Sequence, residues 1–183
     1  MNTKTIRNVL LGAILATGLA AAKTSAPPLT GDAAIVQKAI HQVRMYTHYG
    51  VFDNVEIQVN DGTIHLLGEV TQPYKKSDLG RIMARIPGVA TVDNELTVAP
   101  LSSFDDSIRR QVAGAIFRDP MLAQLESQPF KTIHIIVNNG HVSLEGYVNT
   151  QQQKNVAGMD ANRGMSFGNV VNNLQVEAPS PNK

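Results

Sequence analysis

Five histidines are the side chains in this chain best suited to bind a metal ion. His41 and His48 are seven residues apart on one predicted helix face, but two helical turns separate them by about 10 Å, too far for one ion. His65 and His134 are distant in sequence, and neither has a cysteine or a paired carboxylate motif beside it. The sequence therefore predicts no metal site and no cofactor.

The acidic residues show no pattern typical of acid–base catalysis. They are spread singly, apart from Asp105 and Asp106, which suit the cap of a helix opening at Ser103. No Gly-rich run leads into a helix N-terminus, so a phosphate-cradling loop is not predicted either. We expect a protein that is not an enzyme.

Contact with lipid headgroups needs basic residues beside exposed apolar ones. Residues 117–131 have this composition, and residues 45–52 carry two tyrosines whose rings suit a bilayer interface. The same apolar residues could instead cover a core beneath a loop, and the sequence leaves both interpretations open. Our preferred lipid-facing segment is 117–131. The candidate lipid contacts are Arg109, Arg110, Phe117, Arg118, Met121, Leu122, Leu125, Phe130, Lys131, Tyr46 and Tyr49.

The elements that position these residues occur twice. Residues 59–70 resemble residues 137–148 at an offset of 78, and residues 92–98 match residues 170–176 at the same offset. The preceding helices align at an offset of 73, so the second repeat has five extra residues within 118–130. Self-similarity of this length indicates a duplicated domain.

Each repeat is predicted to fold in the order α-β-β-α-β. In the first, a helix opens with Asp32 as its N-cap, a hairpin turns at Asp61-Gly62, and a second helix begins near Pro73. The closing β-α-β crossover predicts an α+β fold, a small three-stranded mixed sheet packed on two helices. Residues expected to serve this fold are Gly62, Gly68, Gly88, Asn94, Gly140, Gly146 and Asn172.

The second helix of the second repeat is predicted to be the weaker copy. Gly158 and Gly164 would each cost about 1 kcal/mol relative to alanine inside a helix. Asp160 also replaces the apolar Ile82 of the first repeat. We expect the second repeat to be locally softer there.

The N-terminus is typical of a secretory signal peptide, because Lys4 and Arg7 precede a short, interrupted apolar run. We expect cleavage after Ala22. Removing those two positive charges turns the formal net charge of +1 into −1, which argues against a nucleic-acid partner. With 0 Cys there is neither a disulfide nor a lipid-attachment site, so we expect a soluble periplasmic protein. The predicted organisation is signal peptide 1–22, linker 23–31, first domain 32–99, linker 100–104, second domain 105–177 and tail 178–183.

Both repeats resemble the BON domain, a family of bacterial periplasmic and nodulation proteins. The resemblance rests on the helices led by Asp32 and Asp105, the repeated hairpin sequence, the Gly88-Val89 step and the ending Val-x-Asn-x-Leu-x-Val. The second copy departs from the pattern at 165–168, where Met-Ser-Phe-Gly replaces Ile-Pro-Gly-Val. The whole chain is similar to tandem double-BON periplasmic proteins induced by osmotic stress.

The resemblance implies binding to an anionic phospholipid membrane surface and support of the cell envelope under osmotic stress, without catalysis. The alternative from a different functional class is a protein-interaction or chaperone-like module that docks envelope proteins. An exposed sheet face or edge on each repeat would serve that role.

Overall fold

A computed structural model describes residues 31–126, 128, 130–164 and 170–177 of the chain. The predicted signal peptide, its cleavage site, most of the first linker, the tail and the divergent step at 165–168 lie outside the described residues. Among the helices of the described residues, none combines the length and the apolar character needed to cross a membrane.

The first repeat has one sheet with two helices, in the predicted order. Its middle strand pairs antiparallel with the strand before it and parallel with the strands that follow the second helix. The predicted last strand is divided in two at Glu95 and Leu96, because Leu96 turns inward and is fully buried. The elements are α1 (Asp32–Met45), β1 (Asn54–Asn60), β2 (Thr63–Val70), α2 (Pro73–Met83), β3 (Thr91–Asn94) and β4 (Thr97–Val98).

The second repeat has the same topology with one additional short helix inside the predicted insertion. Its last strand is divided in the same way. The α+β fold of two equivalent units is therefore confirmed. The elements are α3 (Ser103–Arg118), α4 (Ala123–Glu126), β5 (Ile133–Asn138), β6 (His141–Val148), α5 (Gln151–Arg163), β7 (Val170–Asn172) and β8 (Gln175–Val176).

Two separate hydrophobic cores lie between the helices and the sheets. In the first, α2 contributes Leu79 and Met83, whereas α5 contributes only alanines at the two equivalent positions of the second. Leu122 and Leu125 of the insertion enter the second core. We infer that these two leucines supply apolar volume that α5 lacks.

The aspartates that open the two repeats anchor the hairpin turns. The Asp32 carboxylate accepts hydrogen bonds from the backbone N–H groups of Asp61 (2.8 Å) and Gly62 (2.9 Å). Both turn residues have positive φ, 49° and 75°, and the Asp32 carboxylate receives their N–H groups. Asp32 is thus not the N-cap as predicted, since Gly31 occupies that position.

The equivalent Asp105 accepts from the N–H groups of Asn139 (3.1 Å) and Gly140 (2.8 Å). The Ser102 hydroxyl caps α3 by accepting from the Asp105 N–H at 3.1 Å. The predicted capping role of Asp105 is therefore wrong, and α3 begins inside the predicted linker 100–104.

The repeated glycines and asparagines lie where the backbone is tightest. A Cβ atom on Gly68 would lie 2.4 Å from the Asn54 carbonyl oxygen, and one on Gly146 would lie 2.2 Å from that of Thr132. Both glycines also have positive φ, so another residue would be strained there. The amides of Asn94 and Asn172 donate to backbone carbonyls of α2 and α5 and tie each last strand to its helix.

The two repeats dock through the loop between α1 and β1, residues 46–53. The N–H of Ile135 donates to the Val51 carbonyl at 2.7 Å, and Val51 and Phe52 pack against the second core. The Asn138 amide donates to the Glu69 carboxylate at 3.1 Å. The first repeat therefore contributes side chains to the packing of the second.

Candidate functional site

A groove between α3 and α5 carries three arginines. Its volume is about 500 Å³, and none of the described residues that line it is acidic. We call it the arginine groove, lined by Ser107, Arg110, Gln111, Gly114, Ala115, Arg118, Arg163 and Gly164.

The spacing of the residues along α3 produces one basic wall of the groove. Arg110, Gly114 and Arg118 follow one another at intervals of four residues and lie on one helix face. Gly114 leaves space for Arg118, because a Cβ there would lie 3.6 Å from the Arg118 guanidinium carbon. The opposite wall is the C-terminus of α5, where Arg163 is the last helical residue. A cation is favourable at that end of the helix dipole.

The groove depends on a close approach of α5 to α3. Gly164 ends α5 as its C-cap and does not lie in the helix interior as predicted. A Cβ at this position would lie 3.1 Å from the Ala115 Cβ and 3.1 Å from the Gln111 carbonyl oxygen. The first repeat has the buried Ile86 at the equivalent place.

The arginines are also unequal between the repeats. At the offset of 73, Arg110 and Arg118 correspond to Gln37 and Met45. At the offset of 78, Arg163 corresponds to Arg85. The duplicated fold therefore carries this concentration of positive charge in its second copy.

The guanidinium groups differ in how they are held. Arg163 donates to the Asp160 carboxylate at 2.8 Å, and Arg110 donates to the Ser107 hydroxyl at 3.3 Å. Within the described residues, Arg118 has neither an ion pair nor a hydrogen-bond acceptor. Asp160 offsets one of three positive charges. The planar guanidinium group of an arginine can donate to two phosphate oxygens at once, so the groove suits a phosphate group.

The family model described as BON domain matches residues 32–100 and 104–178. The chain belongs to the BON domain family. BON domains are generally non-enzymatic binding modules and are associated with membrane or phospholipid binding and with envelope proteins. The two repeats are accordingly two BON domains in tandem.

Two solved structures show weaker similarity. The C-terminal domain of CdsD, a structural protein of the type III secretion system of Chlamydia trachomatis, is 14% identical, with 78% of this chain and 96% of that chain covered and a TM-score of 0.33. A second CdsD structure is 19% identical, with 78% and 59% covered and a TM-score of 0.28. At these scores the similarity carries no functional information. No curated protein matches the chain significantly.

Only two of the predicted lipid contacts, Arg110 and Arg118, line the arginine groove. The prediction is wrong for Arg109, which is 5% exposed and donates to the Val137 carbonyl at 2.6 Å and to Asp106 at 2.6 Å. It is also wrong for Leu122 and Leu125, which are core residues of the second BON domain. These three side chains are buried and do not reach a lipid surface.

The remaining candidates are dispersed over the two BON domains. Phe117 and Met121 are half-buried, and Phe117 packs on the second core. Phe130 is on the surface with the Arg44 guanidinium 5.6 Å above its ring, and Lys131 donates to the Glu126 carbonyl. The Tyr46 hydroxyl donates to Asp78, and Tyr49 packs in the interface between domains.

Sequence reasoning missed Arg163. The available signal was its place just before Gly164, because glycine commonly follows the last residue of a helix. That signal does not show which helix lies opposite, so the convergence of Arg163 with Arg110 and Arg118 needed the packing of α5 on α3.

A buried histidine lies at the contact between the two BON domains. The rings of His134 and Tyr49 are 5.1 Å apart, and the Tyr49 hydroxyl is 3.4 Å from His134 Nε2. His134 Nδ1 is 3.3 Å from the Gly50 carbonyl oxygen. With the proton on Nδ1, that nitrogen donates to Gly50 and Nε2 accepts from Tyr49. Burial lowers the pKa of His134 from 6.5, although the bond to Gly50 opposes the shift.

This histidine predicts a loss of stability in acid. Because the pKa is lower in the folded than in the unfolded state, the unfolded chain binds the proton more readily. The contribution of His134 to the free energy of unfolding is therefore fully present above pH 6.5. It is lost as the pH drops from 6.5 towards the folded pKa. The loss is about 1.4 kcal/mol for each unit between the two pKa values. Urea denaturation at a series of pH values measures it.

Replacing His134 with Gln should flatten this pH dependence, because glutamine does not titrate. Replacing the exposed His41 with Ser should leave the dependence as it is in the wild type. An equal flattening in both variants would refute the assignment to His134.

Proposed function

We propose that this protein is a peripheral phospholipid-binding protein of the bacterial cell envelope, and that the arginine groove receives the anionic headgroup. The observation that carries the proposal is the convergence of Arg110, Arg118 and Arg163 in the second BON domain. The association of BON domains with phospholipid binding supports the same class of ligand.

The surroundings of the groove suit the interface of a bilayer. Met159 is 54% exposed and precedes Arg163 by four residues, so the two side chains lie on one face of α5. An apolar side chain beside guanidinium groups can enter the headgroup region while the cations contact phosphate. Each arginine near an anionic surface contributes about 1 kcal/mol of attraction.

We further propose that the protein acts in the periplasm and supports the envelope under osmotic stress. The N-terminal pattern of two basic residues before an apolar run supports export. The similarity to tandem double-BON proteins supports the role in stress. In this proposal the protein binds lipid reversibly, through charge and limited apolar contact.

Co-sedimentation with phosphatidylglycerol vesicles at low salt tests the proposed function. The wild type should pellet with the vesicles and be released as salt rises. The double variant Arg110→Gln/Arg118→Gln should bind about 30-fold more weakly, because it loses two contributions of about 1 kcal/mol.

The matched control is the double variant Arg81→Gln/Arg85→Gln, in the last turn of α2 and just after that helix, which removes the same charge from the first domain. Its binding should stay close to that of the wild type. Failure of the wild type to pellet at low salt would refute lipid binding, and an equal loss in both variants would refute the placement in the groove.

A protein-interaction role is the second candidate, favoured by two exposed apolar residues at the start of α3. Leu101 and Phe104 are 91% and 67% exposed. Exposed apolar neighbours are typical of surfaces that contact other proteins. Crosslinking in cells that captures one envelope protein through this region, without dependence on lipid, would support this role. Failure to suppress aggregation of unfolded clients would count against its chaperone-like form.

A further inference from the structure

Three side chains of metal-ligand type meet on the open face of the first sheet. The parallel register of β2 and β3 places His65 opposite Asp93, and Glu95 follows two residues later. One nitrogen of His65 and one oxygen of each carboxylate all lie within 4.8 Å of one another. The sequence has no carboxylate motif beside His65, and the fold brings two carboxylates to it.

We propose that His65, Asp93 and Glu95 form a binding site for a divalent transition-metal ion of the Zn²⁺ type. His65 Nδ1 and the Asp93 carboxylate oxygen are 3.3 Å apart. Two ligands of a tetrahedral zinc ion with bonds of about 2.0–2.1 Å are about 3.3–3.4 Å apart. The existing separation of these two atoms thus needs little change to accept the ion.

Glu95 supplies the third ligand. It is exposed, and among the described residues its carboxylate has neither a hydrogen bond nor an ion pair. It can therefore rotate towards the ion without breaking another contact. The fourth position remains open to water or to an external ligand, as in zinc sites with three protein ligands.

The donor set selects among cations. Ca²⁺ and Mg²⁺ prefer sites made entirely of oxygen, whereas an imidazole with two carboxylates suits Zn²⁺ and its neighbours. A simple ion pair between His65 and Asp93 would explain their contact, but it gives no role to Glu95.

The second BON domain shows that the fold does not need these residues. At the offset of 78, the positions of His65, Asp93 and Glu95 hold Ser143, Val171 and Asn173. The second sheet forms the same parallel pairing with them. The ligand set is thus specific to the first domain. The equivalent residues of the second domain provide a natural set of replacements.

Titration of the tag-free protein with ZnCl₂ by isothermal calorimetry tests the site. The wild type should bind about one equivalent through three ligands. The variant Glu95→Gln should bind at least about 10-fold more weakly, and the triple variant His65→Ser/Asp93→Val/Glu95→Asn at least about 100-fold more weakly, because loss of a ligand exceeds the effect of loss of a supporting contact.

Two further measurements separate the site from general histidine binding and from unfolding. The variant His41→Ser, which removes an exposed histidine from α1, should bind Zn²⁺ as the wild type does. Circular dichroism of Glu95→Gln should be unchanged, since the residue is exposed. The proposal is overturned if the wild type binds no equivalent of Zn²⁺, if Glu95→Gln keeps full affinity, or if His41→Ser weakens binding equally.

Discussion

Replacing Lys75 with Met is expected to lower the free energy of unfolding of the first BON domain by about 3–5 kcal/mol. Asp53 is fully buried, and the Lys75 ammonium donates to both of its carboxylate oxygens, at 2.7 and 2.9 Å. Methionine would preserve the apolar part of the side chain and leave a buried carboxylate without a counter-charge. Urea denaturation followed by circular dichroism measures the loss.

The double variant Asp53→Asn/Lys75→Met distinguishes loss of charge compensation from loss of packing. It leaves no uncompensated charge, so it should be more stable than Lys75→Met alone. The second BON domain has Gln153 in place of Lys75, and its amide oxygen accepts from the Asn149 N–H at 2.9 Å. A neutral side chain is therefore compatible with this part of the fold. A double variant no more stable than the single one would contradict the electrostatic explanation.

The same aspartate connects the stability of the first domain to the docking of the second. Asp53 accepts from the Gly50 N–H at 2.8 Å, and the Gly50 carbonyl faces His134 of the second domain. The carbonyl of the next residue, Val51, accepts a hydrogen bond from the Ile135 N–H. Because Asp53 holds the end of the docking loop 46–53, we expect its loss to loosen the interface as well.

The architecture could be predicted because its signals are local and occur twice. Alternating apolar residues on both sides of Asp61-Gly62 predict a hairpin, and the same signals return at Asn139-Gly140. The role of Asp32 could not be predicted in the same way. An aspartate at a helix start accepts backbone N–H groups in either role, and its sequence position does not show whether they belong to its helix or to a distant turn.

The candidate sites depend on contacts between elements, so the sequence predicts only those of their residues that share one element. Arg110 and Arg118 share a helix and could be grouped by their spacing, whereas Arg163 belongs to another helix. His65 meets Asp93 only through the parallel register of two strands separated by α2. Local periodicity does not determine the register between two strands that are distant in sequence.

Replacing Leu122 with Ala is expected to destabilise the second BON domain by about 2–5 kcal/mol. Leu122 is fully buried in the second core, although it lies in the inserted segment that the sequence suggested for lipid contact. Removing its branched end would leave a cavity in the second core, to which α5 contributes the small buried side chains Ala157 and Ala161. Urea denaturation of the full chain should show the loss in the transition of the second domain.

Leu101→Ala is the matched control. It is the same substitution, made just before α3 at a side chain that is 91% exposed. Its effect on stability should remain within about 0.5 kcal/mol. The pair separates a core role of the insertion from a lipid role. If Leu122→Ala kept the stability of the wild type but lost binding to phosphatidylglycerol vesicles, the insertion would be the lipid-facing surface, and the arginine groove would no longer account for binding by itself. If Leu122→Ala lost stability but still bound vesicles below its unfolding transition, the result would support headgroup contact by the arginines. It would also support a core role for the insertion.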